Sequence, residues 1–392
     1  MAQVQNNKIN PAIQEIIDSG LEGMREAMVI MFNQAMFIER SQVLNAQPYE
    51  RTDDRQGYAN GFKPKTLKTR LGELPLMIPQ VRDGVEFYPS CLEKGIKSER
   101  ALRLTLAEMY ISGVSTRKVE KILKELCGLE VTSSEVSRAT KLLDEELEKW
   151  RNRPLGKCKY LQLDARYEKT RRDGRVLSTA VLVATGINEE GYRSVLGVST
   201  GISEAEIHWR KFLLSLKERG LHGVEYVVSD DHEGLRKALQ TTFGSASWNR
   251  CHVHLQRNAS SYVPRVAMRK EVATDISAIL TAPDIEEARN LLNKYVKKYS
   301  KTASKLSEWM AENIPDGFAV FELKKPLRSK MRSTNMIERL NREIKRRTRV
   351  CSLFPNEESL LRLVSAILME TSEEWESGKK YISLDKNDGG GL

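Results

Sequence analysis

Three acidic residues in widely separated segments each stand where a carboxylate could reach a shared metal ion. Asp164 lies in the alternating run Tyr160–Tyr167, which indicates a buried strand, and Asp230 closes a second apolar run. Glu338 lies in residues 333–349, which have a helical pattern. Two divalent ions held by such carboxylates can activate one oxygen and stabilise another in an in-line displacement at a phosphodiester. The three acids therefore predict metal-dependent chemistry on phosphate esters.

The segment around Glu338 combines an apolar stripe with a basic face. The apolar stripe consists of Met336, Ile337, Leu340 and Ile344. Glu338 begins a second face at spacings of three and four residues, and bases behind an acid suit a metal-bound phosphodiester. The residues of this helix that we expect to contact DNA are Arg342, Lys345, Arg346 and Arg349.

Four motifs stand in order along the chain. They are Leu-Asp-Ala at 163–165, Val-Ser-Asp-Asp-His-Glu-Gly-Leu at 228–235, Trp-Asn-Arg-Cys-His-Val-His-Leu-Gln-Arg-Asn at 248–258, and Thr-Asn-Met-Ile-Glu-Arg-Leu-Asn at 334–341. Together they resemble the Mutator-type transposases of bacterial insertion sequences, from about the middle of the N-terminal region through residue 375. The resemblance implies an Asp-Asp-Glu (DDE) site on an RNase H-like core.

The resemblance also implies roles for individual residues. Asp164, Asp230 and Glu338 would be the catalytic triad and the ligands of Mg²⁺ or Mn²⁺, with two ions expected. Asp231 departs from the family pattern, where a small residue is expected. Either neighbouring aspartate could then hold metal, and we favour Asp230 because the strand ends there.

Cysteine and histidine at 251–254 also match the family. Cys251 and His254 correspond to its Cys-x-x-His element, and we expect them to support the core beside the active site. With His252 they could suggest zinc, but zinc usually takes four ligands and no second pair follows at suitable spacing.

The charge of the chain favours a polyanionic partner. Its 392 residues carry a net charge of +10, and residues 324–349 contain eleven Lys or Arg but two acids. A second basic cluster near Asp164 consists of Arg166, Lys169, Arg171, Arg172 and Arg175. Either run alone could be a solvated surface, but beside the three acids both predict contact with double-stranded DNA.

Cysteine usage and hydropathy bear on location. Five scattered cysteines lack paired spacing, so a disulfide framework is not expected. The chain shows no signal segment and no apolar run of the roughly 18 residues that a membrane span needs. We expect a cytoplasmic protein associated with the nucleoid. The ATP-binding motif Gly-x-x-x-x-Gly-Lys-Ser/Thr is absent as well.

Composition and periodicity predict an α/β protein with a mixed sheet. Three antiparallel strands followed by two crossover strands would place the ends of the first and fourth strands of this sheet side by side, bringing Asp164 and Asp230 together. The predicted regions are an N-terminal helical region at 1–49, a β-containing linker module at 50–97, a helix-turn-helix region at 98–155, the core at 156–260, an all-α insertion at 261–328, the rest of the core at 329–376, and a tail at 377–392, where 388–391 would be disordered.

The region before the core contains the predicted DNA-reading helix. Three helices are expected at 101–112, 116–127 and 133–150, the last opened by the capping box Thr132–Glu135. A short turn before the third helix is typical of a helix-turn-helix, although a plain three-helix unit gives the same pattern. The expected DNA contacts on the third helix are Ser137, Arg138 and Lys141.

The combined interpretation is a DNA transposase that binds the terminal inverted repeats of its element and joins them to target DNA. The alternatives are a structure-selective nuclease on the same core and a domesticated DNA-binding protein. Two ends must be handled together, so a homodimer is expected. The amphipathic helical pattern of residues 11–45 could supply its interface, or could pack within its own domain.

Overall fold

The structure, a computed structural model, describes residues 10–382. The chain forms two compact units, one ending at Leu143 and the other beginning at Asp144. No helix within 10–382 has the length and apolar character needed to cross a lipid bilayer. The predicted tail beyond residue 382 lies outside the described residues.

The first unit combines short helices with one β-hairpin. Its elements are α1 Pro11–Ser19, α2 Met24–Val43, β1 Tyr58–Thr69, β2 Gly72–Arg82, α3 Arg100–Ile111, α4 Thr116–Cys127 and α5 Ser133–Thr140.

A break divides the N-terminal helix that the sequence predicts as one. A 3₁₀ turn at Gly20–Gly23 separates α1 from α2, and Gly20 has φ 62°. A left-handed residue interrupts helical hydrogen bonding, which glycine permits at little cost. Several apolar side chains here remain exposed on the described chain: Ile13, Ile17, Leu21, Met31 and Ile38.

The hairpin β1–β2 forms the predicted β-containing module. It is two-stranded, and β2 contains Pro75 and Pro79 opposite Thr66 and Phe62. Proline removes a ladder donor, and both strands of a two-stranded sheet are edge strands, where proline is tolerated. Leu74 is fully buried beneath the hairpin.

Helix α5 begins as predicted but ends early. The side chain of Thr132 accepts from the Glu135 backbone, and the Glu135 side chain closes the capping box. The predicted helix 133–150 is wrong beyond Thr140, because a 3₁₀ turn at Lys141–Leu143 intervenes. Asp144 then starts a new helix and is tied to Arg362, 2.9 Å away. This ion pair and the acidic first turn favour a separate helix in the second unit.

The second unit contains the remaining helices and a five-stranded sheet. Its elements are α6 Asp144–Arg151, β3 Cys158–Arg172, β4 Arg175–Asn188, β5 Arg193–Gly201, α7 Glu206–Glu218, β6 Tyr226–Ser229, α8 Glu233–Thr242, β7 Ser247–Arg250, α9 His252–Ala259, α10 Arg269–Leu280, α11 Ile285–Tyr299, α12 Ser304–Asn313, α13 Lys325–Met331, α14 Asn335–Cys351 and α15 Glu357–Ser377.

The sheet has the strand order β5-β4-β3-β6-β7. Strands β3, β4 and β5 are antiparallel, whereas β6 is parallel to both β3 and β7. The predicted mixed α/β class and the adjacency of the first and fourth strands of this sheet are thereby confirmed. Residues 181–184 of β4 are fully buried, as expected for a central strand covered on both faces.

Side chains at alternate positions of β3 pack into two different hydrophobic cores. Leu161 and Leu163 pack with Trp209 of α7, while Tyr160 packs with Met331 of α13. Asp164 has the same parity as Tyr160, which places it on the α13 side of the sheet. Helices α10, α11 and α12 build a further core together with α9 and residues 314–321.

Candidate active site

The parallel pairing of β3 with β6 sets Asp164 beside Asp230. The last paired residues are Gln162 and Val228; Asp164 lies two positions further along β3, and Asp230 directly follows the end of β6 at Ser229. Neighbouring strands lie about 4.8 Å apart and side chains repeat every two residues, so both carboxylates leave the sheet at one end and on one face.

Asp164 occupies an environment that disfavours an isolated negative charge. Burial raises the pKa of its carboxyl to about 6, and the charges of Asp230 and Glu204 act in the same direction. The charge of His254 and a hydrogen bond from the Ala165 backbone lower it. A cation near Asp164 would therefore favour its ionised form.

Hydrogen bonds fasten α14 to β3 at this carboxylate. Asn341 Nδ2 donates to Asp164 Oδ2 at 2.8 Å, and Arg166 donates to the Asn341 carbonyl. Further along, Thr348 Oγ1 donates to Glu168 at 3.0 Å, and Glu168 also pairs with Arg166. These contacts fix how α14 is rotated and placed along the strand.

Glu338 lies one turn before Asn341 and borders the same site. Its side chain is 30% exposed, yet Oε1 is buried and has no hydrogen-bond partner among the described residues. Arg257 of α9 places Nη2 3.7 Å from that oxygen. The predicted apolar stripe of α14 is confirmed, since Ile337 and Ile344 are fully buried.

Cys251 and His254 hold the start of α9 between the strands and α14. The Thr334 backbone N–H and hydroxyl both lie 3.4 Å from Cys251 Sγ as donors. His254 Nδ1 lies 4.0 Å from Asp230 Oδ1. Burial lowers the pKa of the His254 ring, but Cys251 and the nearby aspartates raise it, to about 9 on balance. His254 is therefore a cation at neutral pH.

The two adjacent aspartates have different surroundings. Asp231 lies 3.0 Å from Arg250 and accepts from Arg236 at 3.1 Å, so two guanidinium groups neutralise it. Asp230 instead faces His254, and its charge is the one that acts on Asp164. Asp230 therefore lies beside Asp164, whereas Asp231 holds the loop between β6 and α8 through Arg250 and Arg236.

Sequence patterns missed several residues of this site. Asn341 and Arg257 follow Glu338 and His254 by three positions, a spacing that puts each pair on one helix face and could have indicated both. Glu204, in the loop before α7, has no such signal. Burial raises its pKa, as does the charge of Asp230.

The DNA-contact candidates of α14 lie on its exposed side. Arg342, Lys345 and Arg349 are exposed and form no ion pair within residues 10–382. Arg346 is also exposed but is held by Glu343 through two hydrogen bonds of 2.8 and 2.9 Å. Three of the four predicted side chains are thus free to bind an anion.

The other DNA-contact candidates belong to the first unit. Ser137 and Arg138 are exposed on α5. Lys141 is exposed too, but it lies in the 3₁₀ turn after the helix. Only Ser137 and Arg138 therefore share the surface of one helix.

The donor set of the site fits a hard divalent cation. The three carboxylates would supply oxygen ligands of the kind Mg²⁺ and Mn²⁺ prefer, and the buried Glu338 Oε1 has no hydrogen-bond donor among the described residues. In the described part of the chain, no three His, Cys, Asp or Glu side chains are already gathered closely enough to coordinate one ion.

Comparison with known proteins finds a matching family model and relatives that are named as transposases. Residues 1–378 match the family model described as "Transposase, Mutator family". The transposase for insertion sequence element IS406 of Burkholderia multivorans is 49% identical, covering 98% of this chain and 99% of the relative. The transposase for ISRM5 of Rhizobium meliloti is 42% identical (98% and 96%), and that for IS256 in transposon Tn4001 of Staphylococcus aureus is 38% identical (98% and 100%).

Proposed function

The chain belongs to the Mutator family of transposases, and from this premise we propose that it cuts and joins DNA strands at a DDE site formed by Asp164, Asp230 and Glu338. The observation that carries the proposal is the meeting of three distant segments. The pairing of β3 with β6 ends just before the two aspartates, and Asn341 fastens the helix of Glu338 to Asp164.

Asp164, Asp230 and Glu338 would hold the divalent ions, Mg²⁺ or Mn²⁺. Bound there, two such ions would supply Lewis-acid activation of one oxygen and stabilisation of another. The protein's own groups prepare the site. Asn341 orients the Asp164 carboxylate, while His254 and Arg257 add positive charge beside Asp230 and Glu338. This charge favours binding of a phosphodiester.

The proposed chemistry is two related phosphoryl transfers. In the first, a water oxygen bonds to phosphorus, the bond to the 3′ oxygen breaks, and a 3′ hydroxyl is released. In the second, that hydroxyl oxygen bonds to a phosphorus of another strand and displaces its 3′ oxygen. The number of phosphodiester bonds is conserved in the second step, so no covalent link to the protein and no ATP is required.

The fold assignments extend the same proposal. The strand order β5-β4-β3-β6-β7, in which β6 and β7 run parallel to β3, supports an RNase H-like core. This core would run through α9 and continue at α13 and α14. Helices α10, α11 and α12, which pack against the end of α9, would be the all-α insertion. Helices α3, α4 and α5 would be the helix-turn-helix, with α5 reading the major groove.

The proposed partners are DNA and a second copy of the chain. Ser137 and Arg138 would contact the terminal inverted repeats, and Lys141 and the α14 bases would contact phosphates. The exposed apolar residues of α1 and α2 would form the homodimer contact that handles two ends together. The site of action would be the nucleoid in the cytoplasm.

The test is a strand-cleavage and joining assay. Purified protein is mixed with Mg²⁺ or Mn²⁺ and labelled duplexes from the DNA flanking its own gene, alongside Asp164→Asn and Glu338→Gln. We expect cleaved and joined products with the wild type, none with either variant, and nearly unchanged DNA binding, because each variant removes a metal ligand.

Glu374→Gln is the matched control, since it makes the same change at an exposed position of α15 away from the site and should keep activity. Nicks without joining would favour the nuclease alternative, and binding without cleavage would favour the domesticated DNA-binding protein. Glu338→Gln that still cleaves would remove Glu338 from the triad.

A further inference from the structure

Strand β3, which carries Asp164, and its neighbour β4 continue beyond the other strands of the sheet as a two-stranded arm. Strand β3 stops pairing with β6 at Gln162, and β4 stops pairing with β5 at Ala180, but β3 and β4 remain paired as far as Arg172 and Arg175. The turn residues Asp173 and Gly174 have φ 50° and 76°. A two-residue turn with both φ values positive suits the twist of a tight hairpin.

The tip of this arm carries unpaired positive charge. Arg171, Arg172 and Arg175 are exposed, and none forms an ion pair within the described chain. Asp173 lies in the turn itself, and Glu357 and Glu358 at the start of α15 line a pocket with Arg171 and Arg172 without forming an ion pair with them. Guanidinium groups without carboxylate partners are available for bidentate binding of phosphate.

The arm is anchored to the end of α14. The Arg171 backbone N–H donates to the Phe354 carbonyl at 2.8 Å, and the Phe354 N–H donates to the Lys169 carbonyl at 2.9 Å. Phe354 is itself buried, and inside the arm the hydroxyls of Thr170 and Thr179 lie 2.6 Å apart. Because α14 is fastened to β3 at Asp164 as well, both ends of α14 are fixed along the same strand.

The exposed bases of α14 and of the tip therefore follow one direction away from the carboxylates. We define the basic track as Arg342, Lys345, Arg349, Arg172 and Arg175; Arg171 alternates to the other face of β3 and is left out. From Asp164 to Arg172 the strand advances eight residues, or about 26 Å at about 3.3 Å per residue. The helix covers about 16 Å of this length between Glu338 and Arg349, at about 1.5 Å per residue.

We propose that the basic track binds the backbone of duplex DNA leading away from the cleaved phosphate, with the hairpin tip contacting it about seven to eight base pairs from the cut at about 3.4 Å per base pair. The inference rests on the proposed function, because the cut is placed at Asp164. The contact chemistry is phosphate recognition, which either the terminal-repeat side or the flanking side of the cut could supply.

The experiment measures binding in EDTA, so that no cleavage occurs. Duplexes end at the cut and extend on one side only, from about 2 to about 12 base pairs. One series carries terminal-repeat sequence and the other flanking sequence. The wild type should bind more tightly once the DNA on at least one side of the cut is longer than about 7 base pairs.

Arg172→Ala/Arg175→Ala should lose that length-dependent gain and keep the affinity for the shortest duplexes. Its log-log salt slope on long duplexes should be shallower by about 2, one unit for each lost phosphate contact. The control Lys157→Ala/Lys159→Ala removes two cations from the opposite end of β3 and should keep both the gain and the slope. Lys in place of both arginines should restore the slope.

A gain in one series would assign the track to that side of the cut, and a gain in both would mean sequence-independent phosphate binding. Full retention of the gain and the slope by Arg172→Ala/Arg175→Ala would overturn the proposal. Arg172→Gln/Arg175→Gln, which keeps the aliphatic stems, serves if the alanine variant unfolds. If Glu338→Gln still cleaves DNA while the arginine variants lose the gain, the proposed catalytic site fails and the track stands.

Discussion

At the scale of single residues, the site depends on how the surroundings of Asp164 set the pKa and the orientation of its carboxyl group. Burial and the neighbouring acids raise its pKa to about 6, whereas Asn341 gives Oδ2 a hydrogen bond of 2.8 Å. A hydrogen bond to a charged group contributes about 1.5–3 kcal/mol. Asn341 thus orients a metal ligand and holds the helix that carries Glu338.

We predict that Asn341→Ala raises the Mn²⁺ concentration needed for half-maximal cleavage and lowers the free energy of unfolding in EDTA by about 1–2 kcal/mol. The physical reason is that Asp164 loses its orienting donor and α14 loses one attachment to β3. Urea unfolding without metal and a Mn²⁺ titration of cleavage measure the two effects.

Asn341→Asp serves as a second variant. It would place another carboxylate against Asp164, so Mn²⁺ should stabilise it against unfolding more than it stabilises the wild type. A metal requirement and an unfolding midpoint identical to those of the wild type in both variants would refute the role of Asn341.

At the scale of elements, the boundary of α5 limits which side chains one helix can present. The capping box at Thr132 and Glu135 defines its start, as the sequence predicts. Its end at Thr140 is followed by the 3₁₀ turn Lys141–Leu143. Arg138 remains on the helix, whereas Lys141 belongs to the turn that follows.

We predict that Arg138→Ala weakens binding to a terminal-repeat duplex by about 1–3 kcal/mol, because an exposed Arg on a recognition helix can donate to a base or a phosphate. Binding measured across a range of salt concentrations separates the two, since loss of a phosphate contact also reduces the salt slope by about 1.

Lys121→Ala on α4 is the control, because Lys121 is an exposed cation in the same unit whose partner is Glu125. Its affinity for the repeat should stay close to that of the wild type. If Arg138→Ala binds as tightly as the wild type at every salt concentration, Arg138 does not contact DNA.

At the scale of the whole molecule, catalysis and repeat recognition are proposed for different compact units. The second unit contains the sheet, the helical core of α10 to α12, and every residue placed at the candidate site. Its first helix, α6, is tied to α15 through Asp144 and Arg362. A fragment starting at Asp144 therefore keeps its own core contacts.

We predict that residues 144–392 expressed alone fold cooperatively and nick duplex DNA with Mn²⁺, without preference for the terminal repeat. The reason is that the proposed ligands and the basic track lie in this unit, while α5 is missing. Circular dichroism during heating and nicking of repeat and unrelated duplexes measure this, with Asp164→Asn in the fragment as the inactive control. Retained preference for the repeat would place recognition in the second unit.

The sequence by itself predicted the features that depend on near neighbours. The alternation along β3, the apolar stripe of α14 and the capping box at Thr132 follow from periodicities of two and 3.6 residues and from local hydrogen bonds. The resemblance to a known family then indicated the three acids, whose joint role as metal ligands stays a prediction.

Only the tertiary structure decided which distant residues meet. Asn341 donates a hydrogen bond to Asp164, Arg257 lies near Glu338, and Asp231 forms an ion pair with Arg250. These pairs form because packing of the sheet and helices brings together segments far apart in the chain. Such contacts leave no periodic trace in the sequence, because their energy depends on spatial neighbours.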